Sequence, residues 1–265
     1  MENVPIEFQK EFKFTKVFFD QLVILIKSYL EIKFHNKNYF AFIYGSFAYG
    51  VETSNSDLDL MIAIDKITRI EKRDFIKYIL DIHNRFYLKI DEEVPHDKKL
   101  LVNFKLFEKG LSGGGFKLSG EKIIIPEIRK EKVFLESDEV IMRLALNSIS
   151  GNNIFICGNK NLYELYKKKS IENILKLIIS INYLDKFTIE DLIENMISNG
   201  SYEGELYLGY KRKLPVINYF KSIFSKFLQE LVAKKILGHL DCQTYIILDK
   251  CWLNSIKGEI EDAKK

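Results

Sequence analysis

The chain has 265 residues, enough for one large domain or two small ones and too many for a disulfide-held miniprotein. Hydrophobic residues make up 47% and charged residues 29%, a globular balance that excludes wholesale disorder. With 40 basic against 37 acidic side chains the net charge is +3, too small an excess for a diffuse nucleic-acid binder, so any polyanion contact should be local.

Phe14 to Ile32 places Val17, Phe18, Leu22, Leu25, Ile26 and Leu30 three to four apart, which predicts an amphipathic helix with Thr15 near its cap. Tyr39–Tyr44 reads as a short buried strand running into Gly45. After a polar stretch, Asp57–Ile64 alternates as a second strand. Glu71–Arg85 predicts a helix and Phe86–Val94 a third strand ended by Pro95, while Lys98–Phe107 reads as a further strand. Ser112–Gly115 is a flexible loop on its glycines, and Glu121–Ile128 and Lys132–Leu135 read as extended.

Further on the character changes. Asp138–Ser150, Leu162–Tyr183, Thr188–Asn199 and Val216–Leu237 all carry helical spacing, with little strand signal before Thr244–Leu248. The fold class expected is α+β: a mixed-sheet core over residues 1–135, followed by a mostly α-helical part over residues 136–265.

The chemistry is concentrated in one segment, Gly45-Ser46-Phe47-Ala48-Tyr49-Gly50 followed by Ser56-Asp57-Leu58-Asp59-Leu60. A strand delivers Gly-Ser into a short helix, and a returning strand presents Asp-x-Asp. In a strand, residues two apart share a face, so Asp57 and Asp59 converge while Leu58 and Leu60 enter the core. Two adjacent carboxylates repel unless a cation lies between them, and Mg²⁺ held by a few carboxylates plus substrate phosphates meets that need. Gly45 allows close approach of a phosphate, and the helix start at Ser46 offers amides and a hydroxyl to it. A phosphate cradle beside a metal clamp describes phosphoryl or nucleotidyl transfer.

Gly-Ser, ten residues, then Asp-x-Asp flanked by apolar residues, here within Ser56-Asp57-Leu58-Asp59-Leu60, resembles the signature of the DNA polymerase β-type nucleotidyltransferase superfamily over roughly residues 14–107. The resemblance implies a short mixed sheet with helices on one side. It further implies a nucleoside triphosphate bound with two Mg²⁺ (Mn²⁺ as substitute), and a third carboxylate on a later strand. Phe86-Tyr87-Leu88-Lys89-Ile90-Asp91-Glu92-Glu93-Val94 supplies two candidates on one strand face, Asp91 first and Glu93 in reserve. Asp57, Asp59 and Asp91 would then be the catalytic metal ligands, with Gly45 and Ser46 at the phosphates.

A second unusual segment, Gly204-Glu205-Leu206-Tyr207-Leu208-Gly209-Tyr210-Lys211-Arg212-Lys213, joins two tyrosines to a basic triplet. In one reading Lys211 or Arg212 reaches the triphosphate while Tyr207 or Tyr210 stacks on the base; in the other it is a solvated inter-helix loop. One catalytic part followed by helices, with near-neutral charge, resembles the kanamycin- and lincosamide-nucleotidyltransferase layout. That layout implies transfer of a nucleoside monophosphate, AMP from ATP, to a hydroxyl of a small-molecule acceptor. Alternatives are a protein- or tRNA-modifying nucleotidyltransferase, or a silent nucleotide-binding or antitoxin-like module. Cys157, Cys242 and Cys251 form no disulfide or zinc pattern, and Met1–Lys16 carries no signal-peptide pattern. The expectation is a cytoplasmic protein without a membrane segment.

Overall fold

A computed structural model describes residues 16–53, 56–88, 101–126, 137–198 and 213–265. The first helix, α1 (Lys16–Lys33), buries Leu22, Ile26 and Leu30 completely, one stripe at four-residue spacing that Phe34 continues. Then come β1 (Tyr39–Ile43), the five-residue α2 (Gly45–Tyr49), β2 (Leu60–Ile64) and α3 (Arg69–Arg85). A capping box starts α3: Thr68 Oγ1 accepts from Glu71 N–H at 3.2 Å, and Glu71 Oε2 accepts from Thr68 N–H at 2.8 Å. Short elements follow: β3 (Leu101–Asn103), α4 (Phe104–Leu111), β4 (Lys117–Ser119) and β5 (Lys122–Ile124). The remainder is α5 (Asp138–Ser150), β6 (Ile154–Gly158), α6 (Lys160–Ile181), β7 (Lys186–Phe187), α7 (Ile189–Ser198), α8 (Leu214–Ala233), β8 (Leu237–His239), β9 (Tyr245–Ile247) and α9 (Lys250–Ala263).

Four strands form the principal sheet in the order β3-β2-β1-β6. It is mixed: β2 and β3 run parallel, whereas β1 is antiparallel to both β2 and β6. The α3 crossover makes the parallel pairing possible. Tyr39, Ala41 and Ile43 from β1 and Leu60, Ile62 and Ile64 from β2 share one core with Leu22, Ile26 and Leu30 of α1 and Phe75, Ile79 and Ile82 of α3. Alternation therefore sends every second strand residue onto the two helices.

Two compact units divide the chain. One holds the described residues up to Phe104 together with Asn153–Asn161; the other holds Lys105–Asn152 and Leu162–Lys265. The second unit contains most of the helices, the β4–β5 hairpin and a three-stranded sheet ordered β7-β9-β8. β6 returns to the edge of the first sheet, which is why Asn153–Asn161 belongs to the first unit. No helix among the described residues is long and apolar enough to cross a membrane.

Several local expectations are corrected. The strand expected over Phe86–Val94 does not begin where it was read: Phe86 caps α3 and Tyr87 takes a left-handed φ of 54°, which breaks an extended run. Lys89 to Val94, Asp91 and Glu93 included, lies outside the described residues, as does Lys132–Leu135. The strand expected over Lys98–Phe107 is limited to Leu101–Asn103 among the described residues. From Phe104 the chain is helical, and Phe107, Gly110 and Leu111 at three- to four-residue spacing supply its buried face. The Ser112–Gly115 turn is packed rather than open: a Cβ on Gly115 would lie 2.3 Å from Arg143 Cγ and 2.8 Å from Glu139 O of α5. Its glycines permit close backbone approach. The helix expected to reach Leu237 ends at Ala233, and Leu237 opens β8.

The α3 cap carries a testable charge. The Thr68 backbone amide, then Lys37 Nζ at 3.0 Å and the Thr68 hydroxyl, hold the Glu71 carboxyl down to about 2. A lowered folded pKa adds stability that is complete above the ordinary value of 4.5 and disappears as pH falls toward about 2. The carboxylate is 32% exposed, so solvent screening limits the effect to about 1 kcal/mol. Thermal melts of Glu71→Gln should accordingly lie below the parent chain at pH 7 and converge with it near pH 2. A constant gap across that window would rule out the carboxylate as the source.

Candidate active site

The site residues are placed by the end of the β1–β2 pair. Ile43 lies opposite Leu60, and Tyr44 N–H extends the pairing by donating to Asp59 O at 2.9 Å. Gly45 then turns the chain into α2 with φ +72°, a left-handed conformation that glycine adopts without steric cost. A Cβ there would lie 2.0 Å from Asp59 Oδ2, so the carboxylate occupies the space the missing side chain leaves. No other residue type gives both the turn and the contact.

Leu58 and Leu60 lie in the core; Asp57 is half-buried, but Asp59, at 4% exposure, is as buried as Leu58. The strand expected to begin at Asp57 opens only at Leu60, so both aspartates lie in the segment that leads into β2. Ser46 is half-buried in the first turn of α2. That short helix is fixed from below by Phe47, stacked on Phe19 of α1 at a ring separation of 5.8 Å. It is closed by Gly50, whose N–H reaches the Ser46 and Phe47 carbonyls. The loop back toward Asp57 is folded on itself: Ser56 N–H donates to Thr53 O at 3.0 Å and Thr53 N–H to Ser56 Oγ at 2.9 Å.

Gly45 and Asp59 are thus in contact; Ser46 follows Gly45 directly and Asp57 stands two residues before Asp59. Asp91, Glu93, Lys211 and Arg212 lie outside the described residues. Among the described residues no group of three or more His, Cys, Asp or Glu side chains is placed to hold a metal ion. The donor set nevertheless suits a hard divalent cation: two carboxylates two residues apart at the entry to β2, one of them beside a glycine that keeps its flank free of side chain. Two features escaped sequence reasoning. The deeper burial of Asp59 has no sequence signal distinguishing it from Asp57. The Thr53–Ser56 hydrogen bonds were missed as well, although the Ser and Thr at those positions carried a signal for such local side-chain bonds. Of the cysteines, Cys157 is buried and Cys242 and Cys251 are exposed.

Residues 26–113 match the model of the nucleotidyltransferase domain family. The match contains β1, the Gly45-Ser46 turn, both aspartates, α3 and β3, and it supports nucleotidyl transfer as the general chemistry of this part of the chain. No curated protein and no solved structure matches the chain.

One variant isolates the turn. Gly45→Ala should fold with a loss of about 1–2 kcal/mol from the left-handed φ. It should also push Asp59 from its place, so activity should fall far more than stability. Parallel measurement of pyrophosphate release and thermal melting checks this; an Ala variant of normal activity would show that the contact is not needed.

Proposed function

We propose that the chain transfers a nucleoside monophosphate, AMP from ATP, to a hydroxyl of a small-molecule acceptor and releases pyrophosphate. The observation that carries this reading is the Gly45–Asp59 contact, which sets an Asp-x-Asp pair beside a Gly-Ser helix start. Asp57 and Asp59, with Asp91 or Glu93 as third ligand, would hold Mg²⁺, which when bound neutralises charge on the leaving pyrophosphate and acidifies the acceptor hydroxyl. Gly45 lets the triphosphate approach the backbone, and Ser46 offers its hydroxyl and the neighbouring amides to the terminal phosphates. Lys211 and Arg212 would add positive charge there. In the transfer the acceptor oxygen bonds to the α-phosphorus and the bond to the bridging oxygen breaks. The hydroxyl proton passes to a carboxylate of the site. The layout of one catalytic part followed by helices, and the small net charge, favour a small acceptor of the kind used by kanamycin and lincosamide nucleotidyltransferases over an extended RNA.

Incubation with labelled ATP, GTP, CTP and UTP plus Mg²⁺ or Mn²⁺, with and without hydroxyl-bearing acceptors, tests the reading by pyrophosphate release. Turnover that disappears in Asp57→Ala/Asp59→Ala supports it. Nucleotide binding without turnover on any acceptor overturns it.

A further inference from the structure

Helix α5 is buried along most of its length and carries two polar side chains into the interior of the second unit, Arg143 at 4% exposure and Asn147 at 3%. One turn apart, they lie on the same helix face. The Arg143 stem runs past Gly115, and its Nη1 donates to Pro126 O at 3.0 Å. Its Nε, and Nδ2 of Asn147, are buried with no hydrogen-bond partner among the described residues.

Native interiors rarely leave such groups unmet, and an unpaired buried charge is the costliest kind. Both atoms are donors, so the partner must be an acceptor. The guanidinium is also positive and lacks a carboxylate within ion-pair distance among the described residues. Glu139, one turn earlier, exerts an attractive field on it, but that carboxylate is 42% exposed and pairs with Lys117 at 3.3 Å. Water would satisfy either donor but leave the charge uncompensated. An oxyanion does both. The near-complete burial rules out a macromolecular polyanion.

We propose that Arg143 and Asn147 form the binding site of a small oxyanion, a single phosphate or carboxylate group, inside the second unit. The site is independent of the nucleotidyl-transfer reading, since none of its residues belongs to that machinery.

The test uses the full chain, with inorganic phosphate and acetate as separate probes at constant ionic strength. Calorimetry should give a saturable one-site isotherm for the preferred anion, and the melting temperature should rise with its concentration. Which of the two probes binds distinguishes a phosphate from a carboxylate ligand. Arg143→Met should weaken binding at least tenfold. Asn147→Asp, nearly isosteric, places a carboxylate one turn from the guanidinium; it should raise the melting temperature in anion-free buffer and weaken binding at least tenfold. Ser46→Asp, which sets a negative charge where the triphosphate is proposed to lie, should bind as the parent does, and this separates the two sites. Absence of saturable binding of either anion overturns the proposal. So does binding that survives in Asn147→Asp, or that is lost in Ser46→Asp.

Discussion

Replacing either Asp57 or Asp59 with asparagine is expected to lower nucleotidyl transfer at least about a thousandfold, roughly 4 kcal/mol of transition-state stabilisation, while the chain folds normally. Asparagine keeps size and shape and removes only the charge that would hold a cation. The glutamate variants separate the two positions. Asp59 Oδ2 already lies in the space that a Cβ on Gly45 would fill, and the side chain is buried. One further methylene has nowhere to go, so Asp59→Glu should lose activity and also about 1–3 kcal/mol of stability through overpacking. Asp57 is half-buried and reaches solvent, so Asp57→Glu should melt like the parent chain even where its activity falls. Pyrophosphate release and circular-dichroism melts on the four variants check the pattern. Asp59→Asn with activity within tenfold of the parent would remove this carboxylate from the chemistry.

The parts of this site that sequence made legible are those governed by short-range rules. Period two placed Leu58 and Leu60 in the core, and Gly45-Ser46 marked the strand-to-helix turn; both depend on a few neighbouring residues. The same rules failed where a segment's state is decided by distant partners. Ile154–Gly158 is five residues long, set among helical patterns, and its identity as β6 comes from pairing with β1 more than a hundred residues earlier. Phe104–Phe107 misled in the opposite way: a short apolar run fits a strand as well as a helix, and only the burial of Phe107, Gly110 and Leu111 on one side decides it. Arg143 is the clearest illegible case, because a basic residue within a helical pattern is normally assigned to solvent.

Charge buried inside the second unit should also dominate its stability, and the effect should be asymmetric. Lys176 of α6 has a side chain only 5% exposed, yet its ammonium lies 2.9 Å from Glu172 Oε1, 3.9 Å from Glu259 Oε1 and 2.9 Å from Ser255 Oγ, with the Trp252 ring 5.4 Å away. Glu172 belongs to the same helix; Trp252, Ser255 and Glu259 belong to α9, so the cluster joins the two. The glutamates are 32% and 28% exposed and have other partners: Trp252 Nε1 donates to Glu172 at 2.9 Å, while Asn173 and Lys169 reach Glu259 at 3.1 and 3.2 Å. Lys176→Met therefore leaves no acid stranded and replaces a buried charge with an apolar chain of similar length, for a cost of about 1 kcal/mol. Glu172→Gln/Glu259→Gln does the reverse. It leaves the ammonium buried with neutral neighbours, and should cost about 3–5 kcal/mol even though the substituted residues are the more exposed partners. Denaturant unfolding of the two variants decides between this account and one based on side-chain packing alone, in which the lysine substitution would be the more damaging. Adding Lys176→Met to the double glutamine variant should recover most of the loss, because the charge that needed partners is then gone.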